Sequence, residues 1–177
     1  MFYKLLFASL WYILPAYVAN ASACIFGGGT PVDLGKNFID GRRLIGNGVT
    51  YKGSVFGILC GTLVGVIQGI LVNFNIFNSL DFYGSVIDHV ILAFFLSTGA
   101  VVGDAVGSFI KRRLNIDRGK PAPLLDQLDF VIGALAFGYI VAPISHEMVI
   151  IICLFTVFIH LLGNIIAYKL GIKDVWW

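Results

Sequence analysis

The chain is short of charge. Asp, Glu, Lys and Arg make up 12% of its 177 residues, about half the share found in soluble globular domains. A soluble fold is excluded on that ground. The net charge is only +2, and so few cations cannot build the basic face that nucleic-acid binding requires. Cysteine is scarce and odd in number: Cys24, Cys60 and Cys153 lie far apart within apolar runs. That pattern excludes a disulfide framework and a cysteine metal cluster, and it leaves the three as small packing residues. No internal repeat or low-complexity segment is present.

What the chain has in excess is apolar length. Apolar residues make up 58% of it, mean hydropathy is +0.90, and several uncharged stretches reach the ~20 residues needed to cross a bilayer. The expected fold is an all-α integral membrane protein, a single transmembrane domain over residues 1–177. Five spans are expected near residues 5–26, 53–78, 85–110, 124–144 and 148–168, with loops at 27–52 and 111–123 on one side. The first run ends in a small-residue stretch, 19–24, that imitates a leader cleavage site. Its apolar core exceeds the roughly 7 to 15 residues of a signal peptide, so it is read as a span. Pro15 predicts a kink there. Gly57, Gly61, Gly65 and Gly69 recur every fourth residue in the second run and predict a close-packing stripe. In the fifth, His160 and Asn164 share a face and predict a hydrogen bond within the bundle.

Orientation follows from the cations. All twelve Lys and Arg except Lys4 fall in the loops 27–52 and 111–123 or in the C-terminal tail. The opposite connections carry Asp81, Asp88 and Glu147 with no basic residue. By the positive-inside rule the N-terminus is outside and the C-terminus cytoplasmic. Trp176 and Trp177 suit the headgroup layer on that side.

The third span and the loop after it hold chemistry that a structural helix would avoid. Asp104, Ser108 and Lys111 stand at i, i+4 and i+7, on one face of the span's cytoplasmic end. An ionisable residue at such depth is a functional hypothesis by default. Asp126 and Asp129, three apart, share a face at the start of the fourth span, where acids also complement the helix dipole. With Lys111, Arg112, Arg118 and Lys120 nearby, the set offers hard oxygen ligands for Mg²⁺ and fixed positive charge for phosphates. The first loop adds Asp33, Lys36, Asn37, Asp40, Arg42, Arg43 and Asn47 among glycines that let backbone amides approach an anion. It is not a Walker loop, because no Gly-Lys-Ser/Thr stands at the required spacing.

Histidine is placed away from this side. His89 and His146 fall toward the outer face and His160 mid-span, so no histidine base is expected at the cytoplasmic site. A nucleophile that is already an anion needs none, and a phosphate monoester, with a second pKa near about 6, meets that requirement.

The stretch from Gly103 to Phe130 resembles the signature of the CTP-transferase superfamily of phosphatidate cytidylyltransferases. Gly103-Asp104, Ser108, Lys111-Arg112 and the pair Asp126 and Asp129 stand in that family's order. Where the bacterial pattern has a Pro-Gly-His-Gly-Gly box, residues 119–123 read Gly-Lys-Pro-Ala-Pro. With the five spans and the first-loop residues, this looks like the archaeal branch. The resemblance implies Mg²⁺-dependent transfer of CMP from CTP to an isoprenoid dialkyl glycerol phosphate, releasing pyrophosphate, in the cell membrane with the site facing the cytoplasm. It implies Asp126 and Asp129, with Asp104, as metal ligands, and Lys111, Arg112 and Arg118 as phosphate contacts. The first loop would place the base or the lipid headgroup.

Two other readings compete. A CDP-alcohol phosphotransferase would need Ala-Arg after Asp40-Gly41 and carboxylates spaced by four, whereas the chain has Arg42-Arg43 and a spacing of three. A carrier using Asp104 and His160 as pathway residues would gather polar groups at the midplane rather than at one rim.

Overall fold

In lipid every backbone N–H and C=O must be satisfied within its own segment, so long apolar runs fold as helices. A computed structural model describes residues 2–74, 85–117, 119–169 and 171. Within them lie five helices: α1 (Phe2–Ile25), α2 (Tyr51–Asn73), α3 (Val86–Arg113), α4 (Leu125–Val141) and α5 (His146–Lys169). Arg118, the connection carrying Asp81 and the tail with Lys173, Trp176 and Trp177 lie outside the described residues.

Four of the helices are long and apolar enough to cross a membrane. α4 is the exception. Expected over residues 124–144, it has 17 residues, about 26 Å at 1.5 Å per residue, less than the roughly 30 Å hydrocarbon core. Proline sets one of its limits. Ala142, the residue before Pro143, is extended (φ −134°, ψ 89°), as the steric demand of the following ring requires. α3 runs on to Arg113, three residues past its expected end, because Lys111, Arg112 and Arg113 in its last turn complement the helix dipole.

α3 is the central helix, packed against α1, α2 and α4, while α5 leans on α4 and α1 from outside. The core between them holds Tyr12, Ile13, Leu92, Leu96, Val131 and Ile152. The glycine stripe of α2 is what brings that helix in. A Cβ at Gly57 would stand 2.8 Å from the Ala19 carbonyl, and one at Gly61 would stand 2.6 Å from the Pro15 carbonyl and collide with Ser97. A Cβ at Gly69 would meet the Val86 backbone at 2.8 Å. A second set, not singled out in the sequence, seats α4 on α3: Gly99 and Gly133 face each other, and Gly103 lies against the Asp129 carbonyl.

Several polar side chains inside the bundle bond between helices. Gln68 Nε2 donates to the Trp11 carbonyl at 2.7 Å, and the Tyr12 hydroxyl donates to the Ala142 carbonyl at 2.9 Å. The Tyr17 hydroxyl and Thr156 Oγ1 share a hydrogen bond of 2.8 Å that ties α1 to α5. On α5 the buried residues Met148, Ile152 and Thr156 recur every fourth position. His160 and Asn164 continue that stripe, and Asn164 Nδ2 lies 3.2 Å from His160 Nδ1 as the sequence predicts.

Overpacking an interface this close costs about 1–3 kcal/mol or more. Gly61→Leu is expected to lower the thermal midpoint of the detergent-solubilised protein clearly. Gly163→Leu, at a position with nothing within 4 Å, is expected to leave it within a degree or two.

Candidate active site

At one end of the bundle the inward stripes of the helices turn from apolar to polar. On α1 the buried Tyr12 and Ala16 give way to Asn20 and Cys24, and on α5 Thr156 gives way to His160. These ends, the start of α2, the last turns of α3 and the first turns of α4 enclose a cavity of about 410 Å³. Residues 45–50 of the first loop form a further wall.

Asp104, Ser108, Lys111 and Arg112 reach the cavity from α3, Asp126 and Asp129 from α4, and Lys120 from the linker between them. The face shared by Asp104, Ser108 and Lys111 is therefore real, and it meets the aspartate pair. Lys111 Nζ is 2.8 Å from Asp126 Oδ1, while Asp126 Oδ2 accepts from the Ala122 amide at 2.8 Å. Asp129 Oδ1 accepts from the Phe130 amide at 2.7 Å. Its other oxygen lies where a Cβ on residue 107 would stand, so only glycine leaves room for it. Asp104 is half-buried and has no hydrogen-bond or ion-pair partner among the described residues. Arg112 has a buried Nε without a hydrogen-bond partner, which is a costly state for a cation.

Three oxygen-bearing side chains on one cavity match the chemistry of Mg²⁺. They are not yet gathered into a closed ligand set: among the described residues no three His, Cys, Asp or Glu are grouped closely enough to hold a metal ion. Lys111 instead supplies the positive charge at Asp126.

The first loop divides differently from expectation. Of its seven candidates only Asn47 lines the cavity. Asp33 does not line the cavity. Its buried carboxylate takes Arg43 Nη2 at 2.8 Å and Nε at 3.2 Å, and the amides of Gly35, Ile45 and Gly46 at 3.0, 3.0 and 2.7 Å. That leaves no lone pair for a substrate, and Arg43 is committed with it. Arg43 Nη2 also donates to Asn47 Oδ1 at 2.8 Å. Asp40 pairs with Arg113 at 3.1 Å, and Arg42 Nη1 donates to the Arg113 carbonyl at 2.8 Å. Lys36 and Asn37 are exposed; Asn37 bridges Arg43 across the loop.

Other residues at the cavity were not anticipated. His160, expected mid-span and away from the site, lines it, because the cavity reaches down between α1 and α5 to the turn above the Tyr17–Thr156 bond. The four-residue stripe from Met148 was the signal for it. Cys24, expected as a packing residue, is exposed and lines the cavity. Asn20, Thr50, Ser54 and Asp117 also line it. Thr50 caps α2, its side chain accepting from the Gly53 amide at 3.1 Å.

A helical membrane bundle whose polar cavity carries three carboxylates beside basic side chains has the make-up of an intramembrane enzyme acting on phosphate groups. The comparisons narrow this further. A family model described as CarS-like, CDP-archaeol synthase, matches residues 2–177. The chain is 92% identical over 177 residues to the CDP-archaeol synthase of Methanocaldococcus jannaschii, covering 100% of both chains. It is 58% identical over 169 residues to that of Methanococcus aeolicus (96% of this chain, 95% of the relative). It is 51% identical over 172 residues to that of Thermococcus kodakarensis (97% and 96%). A solved intramembrane enzyme of archaeal membrane lipid biosynthesis superposes with a TM-score of 0.76 at 38% identity, over 88% of this chain and 92% of that one. The chain belongs to the CDP-archaeol synthase family.

The Arg43 guanidinium, followed by the Gly46, Ile45 and Gly35 amides, holds the Asp33 carboxyl well below the usual carboxylate range. A depressed folded-state pKa stabilises the loop fully above the unfolded value of about 3.9, and the effect fades as pH falls below it. Protease resistance of the loop is therefore expected to hold from pH 7 down to about 4 and to fail on further acidification. Asp33→Asn is expected to be cleaved faster throughout that range.

Proposed function

We propose that the chain transfers CMP from CTP to the phosphate of an isoprenoid dialkyl glycerol phosphate, giving CDP-archaeol and pyrophosphate, at a site facing the cytoplasm. The observation that carries this reading is the charge arrangement of the cavity. Anion-binding groups (Lys111, Arg112, Lys120) and carboxylates share its α3–α4 side, while the side made by α1, α2 and the first loop presents the uncharged Asn20, Asn47, Thr50 and Ser54. A nucleoside triphosphate matches that division, with its phosphates on the first side and its nucleoside on the second.

In the reaction a lipid phosphate oxygen forms a bond to the α-phosphorus of CTP, and the bond from that phosphorus to the β-phosphate bridging oxygen breaks. The attacking group is already anionic, so a base is not needed. Arg112, which lines the cavity, offers its guanidinium to a phosphate, and Lys111 stands as a point charge where negative charge gathers on the leaving pyrophosphate. Mg²⁺ would be held by Asp126 and Asp129, with Asp104, and would polarise the phosphates as a Lewis acid. With Asp126 among the residues that would hold the ion, its partner Lys111 would be free to meet a phosphate. Arg118, within the Gly- and Pro-bounded linker, completes the basic set in this reading.

The carrier reading loses its main support, because the polar groups gather at one end of the bundle rather than midway. Family membership removes the phosphotransferase reading. In this reading α4 counts as a span, making five, its shortness notwithstanding.

Two measurements test the proposal. Asp126→Asn and Asp129→Asn are each expected to lower pyrophosphate release from CTP and lipid phosphate by about 100-fold or more, in protein that still purifies as a folded bundle. Chelation of Mg²⁺ is expected to stop the wild-type reaction and its return to restore it. Separately, a cysteine at Asn47 or Asp117 in a variant lacking the native three should be labelled only from the cytoplasmic side, and one at Ser145 only from outside. The reverse labelling pattern overturns the orientation.

A further inference from the structure

Arg113 does not line the cavity; its side chain reaches the first loop instead. Its Nη2 donates to the Arg43 carbonyl at 2.6 Å, and its Nε pairs with Asp40 Oδ2 at 3.1 Å. The guanidinium lies over the rings of Phe38 and Phe109, 4.9 and 4.7 Å from their centroids, and the rings meet edge to face at 5.3 Å. The loop answers from its side: Arg42 Nη1 donates to the Arg113 carbonyl at 2.8 Å, at a helix end whose carbonyls lack intrahelical partners.

The path continues inward. Arg43, held at its carbonyl by Arg113, grips Asp33 and Asn47 with its side chain, and Asp33 holds the Ile45 and Gly46 amides. Residues 45–50 are the loop's wall of the cavity. The rest of the loop forms turns and short backbone bonds, Phe38 N–H to the Arg42 carbonyl at 2.7 Å, Leu44 N–H to the Lys36 carbonyl at 3.0 Å and Val32 N–H to the Val49 carbonyl at 3.0 Å, with isolated bridges of Pro31 with Thr50 and Asn37 with Arg43. A connection of this length without regular structure depends on such clips for its position.

We propose that Arg113 is a positioning residue for nucleotide binding, holding residues 45–50 against the cavity from the end of α3. The proposal rests on the reading of the cavity as the CTP site. If the clip loosens, the closed wall is populated only part of the time, and apparent affinity falls by that fraction. The reacting groups on α3 and α4 are untouched, so turnover at saturation is kept. Lysine cannot replace arginine here, because it lacks the planar fork that reaches Arg43 and Asp40 while lying over two rings.

The test uses the full chain in liposomes, with CTP and lipid phosphate titrated separately. Arg113→Lys preserves the charge that sets topology, and Phe38→Leu removes one ring without touching a helix. Each is expected to raise KM for CTP about fivefold or more, with kcat and the KM for lipid phosphate within twofold of wild type. The double variant is expected to be no worse than Arg113→Lys, since both break one clip. A merely structural role would reduce the yield of folded protein and leave KM for CTP alone. Unchanged KM for CTP in both folded variants, or a joint loss of kcat and lipid affinity, overturns the proposal. Failure of the underlying site reading looks different: Asp126→Asn then keeps full turnover whatever Arg113 does.

Discussion

The last turn of α3 is the point on which the site depends. Lys111, Arg112 and Arg113 are consecutive, and successive helical residues point about 100° apart, so each cation faces a different part of the molecule. Lys111 joins α3 to α4 through Asp126, Arg112 lines the cavity, and Arg113 fastens the first loop. A helix C-terminus favours cations there in any case. One turn of one helix thus sets the relation between two cavity walls and supplies an anion donor between them.

That turn can serve both sides because α3 is closely embraced. The α2 stripe brings one neighbour to backbone contact, and Gly99, Gly103 and Gly107 bring α4 just as near. The small residues and the acids alternate along the same turns: Asp104 follows Gly103, and the carboxylate of Asp129 occupies the space that Gly107 leaves. A methyl group at 107 would press on a proposed metal ligand. Packing and chemistry are therefore coupled within a few residues.

Much of this was legible in the chain. Uninterrupted apolar length announced the helices, and the i, i+4, i+7 placement of Asp104, Ser108 and Lys111 put them on one face of α3, where the structure has them. The α2 glycines stood out because they repeat without interruption. The α3 glycines did not, since candidate site residues lie between them and drew the reading toward chemistry. The first loop was read as ligand-binding from its composition, but composition does not distinguish a carboxylate that binds a substrate from one that gathers its own loop's amides, as Asp33 does. His160 and Cys24 were misplaced for a geometric reason. Counting residues along a span gives depth but not how far a cavity extends inward, and here it descends between α1 and α5.

The unequal lengths of α3 and α4 bear on how the membrane meets the protein. α3 has 28 residues and its packing partner α4 has 17, a difference of about 16 Å in rise. A flat bilayer of uniform thickness cannot match both, and hydrophobic mismatch is accommodated by local thinning or tilt at a cost of fractions of a kcal/mol per Å. In the five-span reading, thinning beside α4 would draw the headgroup layer toward its first turns, where Asp126 and Asp129 stand. A phosphate carried on a lipid would then arrive at the carboxylates while its tails stay in the membrane, so that the bilayer's own deformation shortens the distance the substrate has to rise.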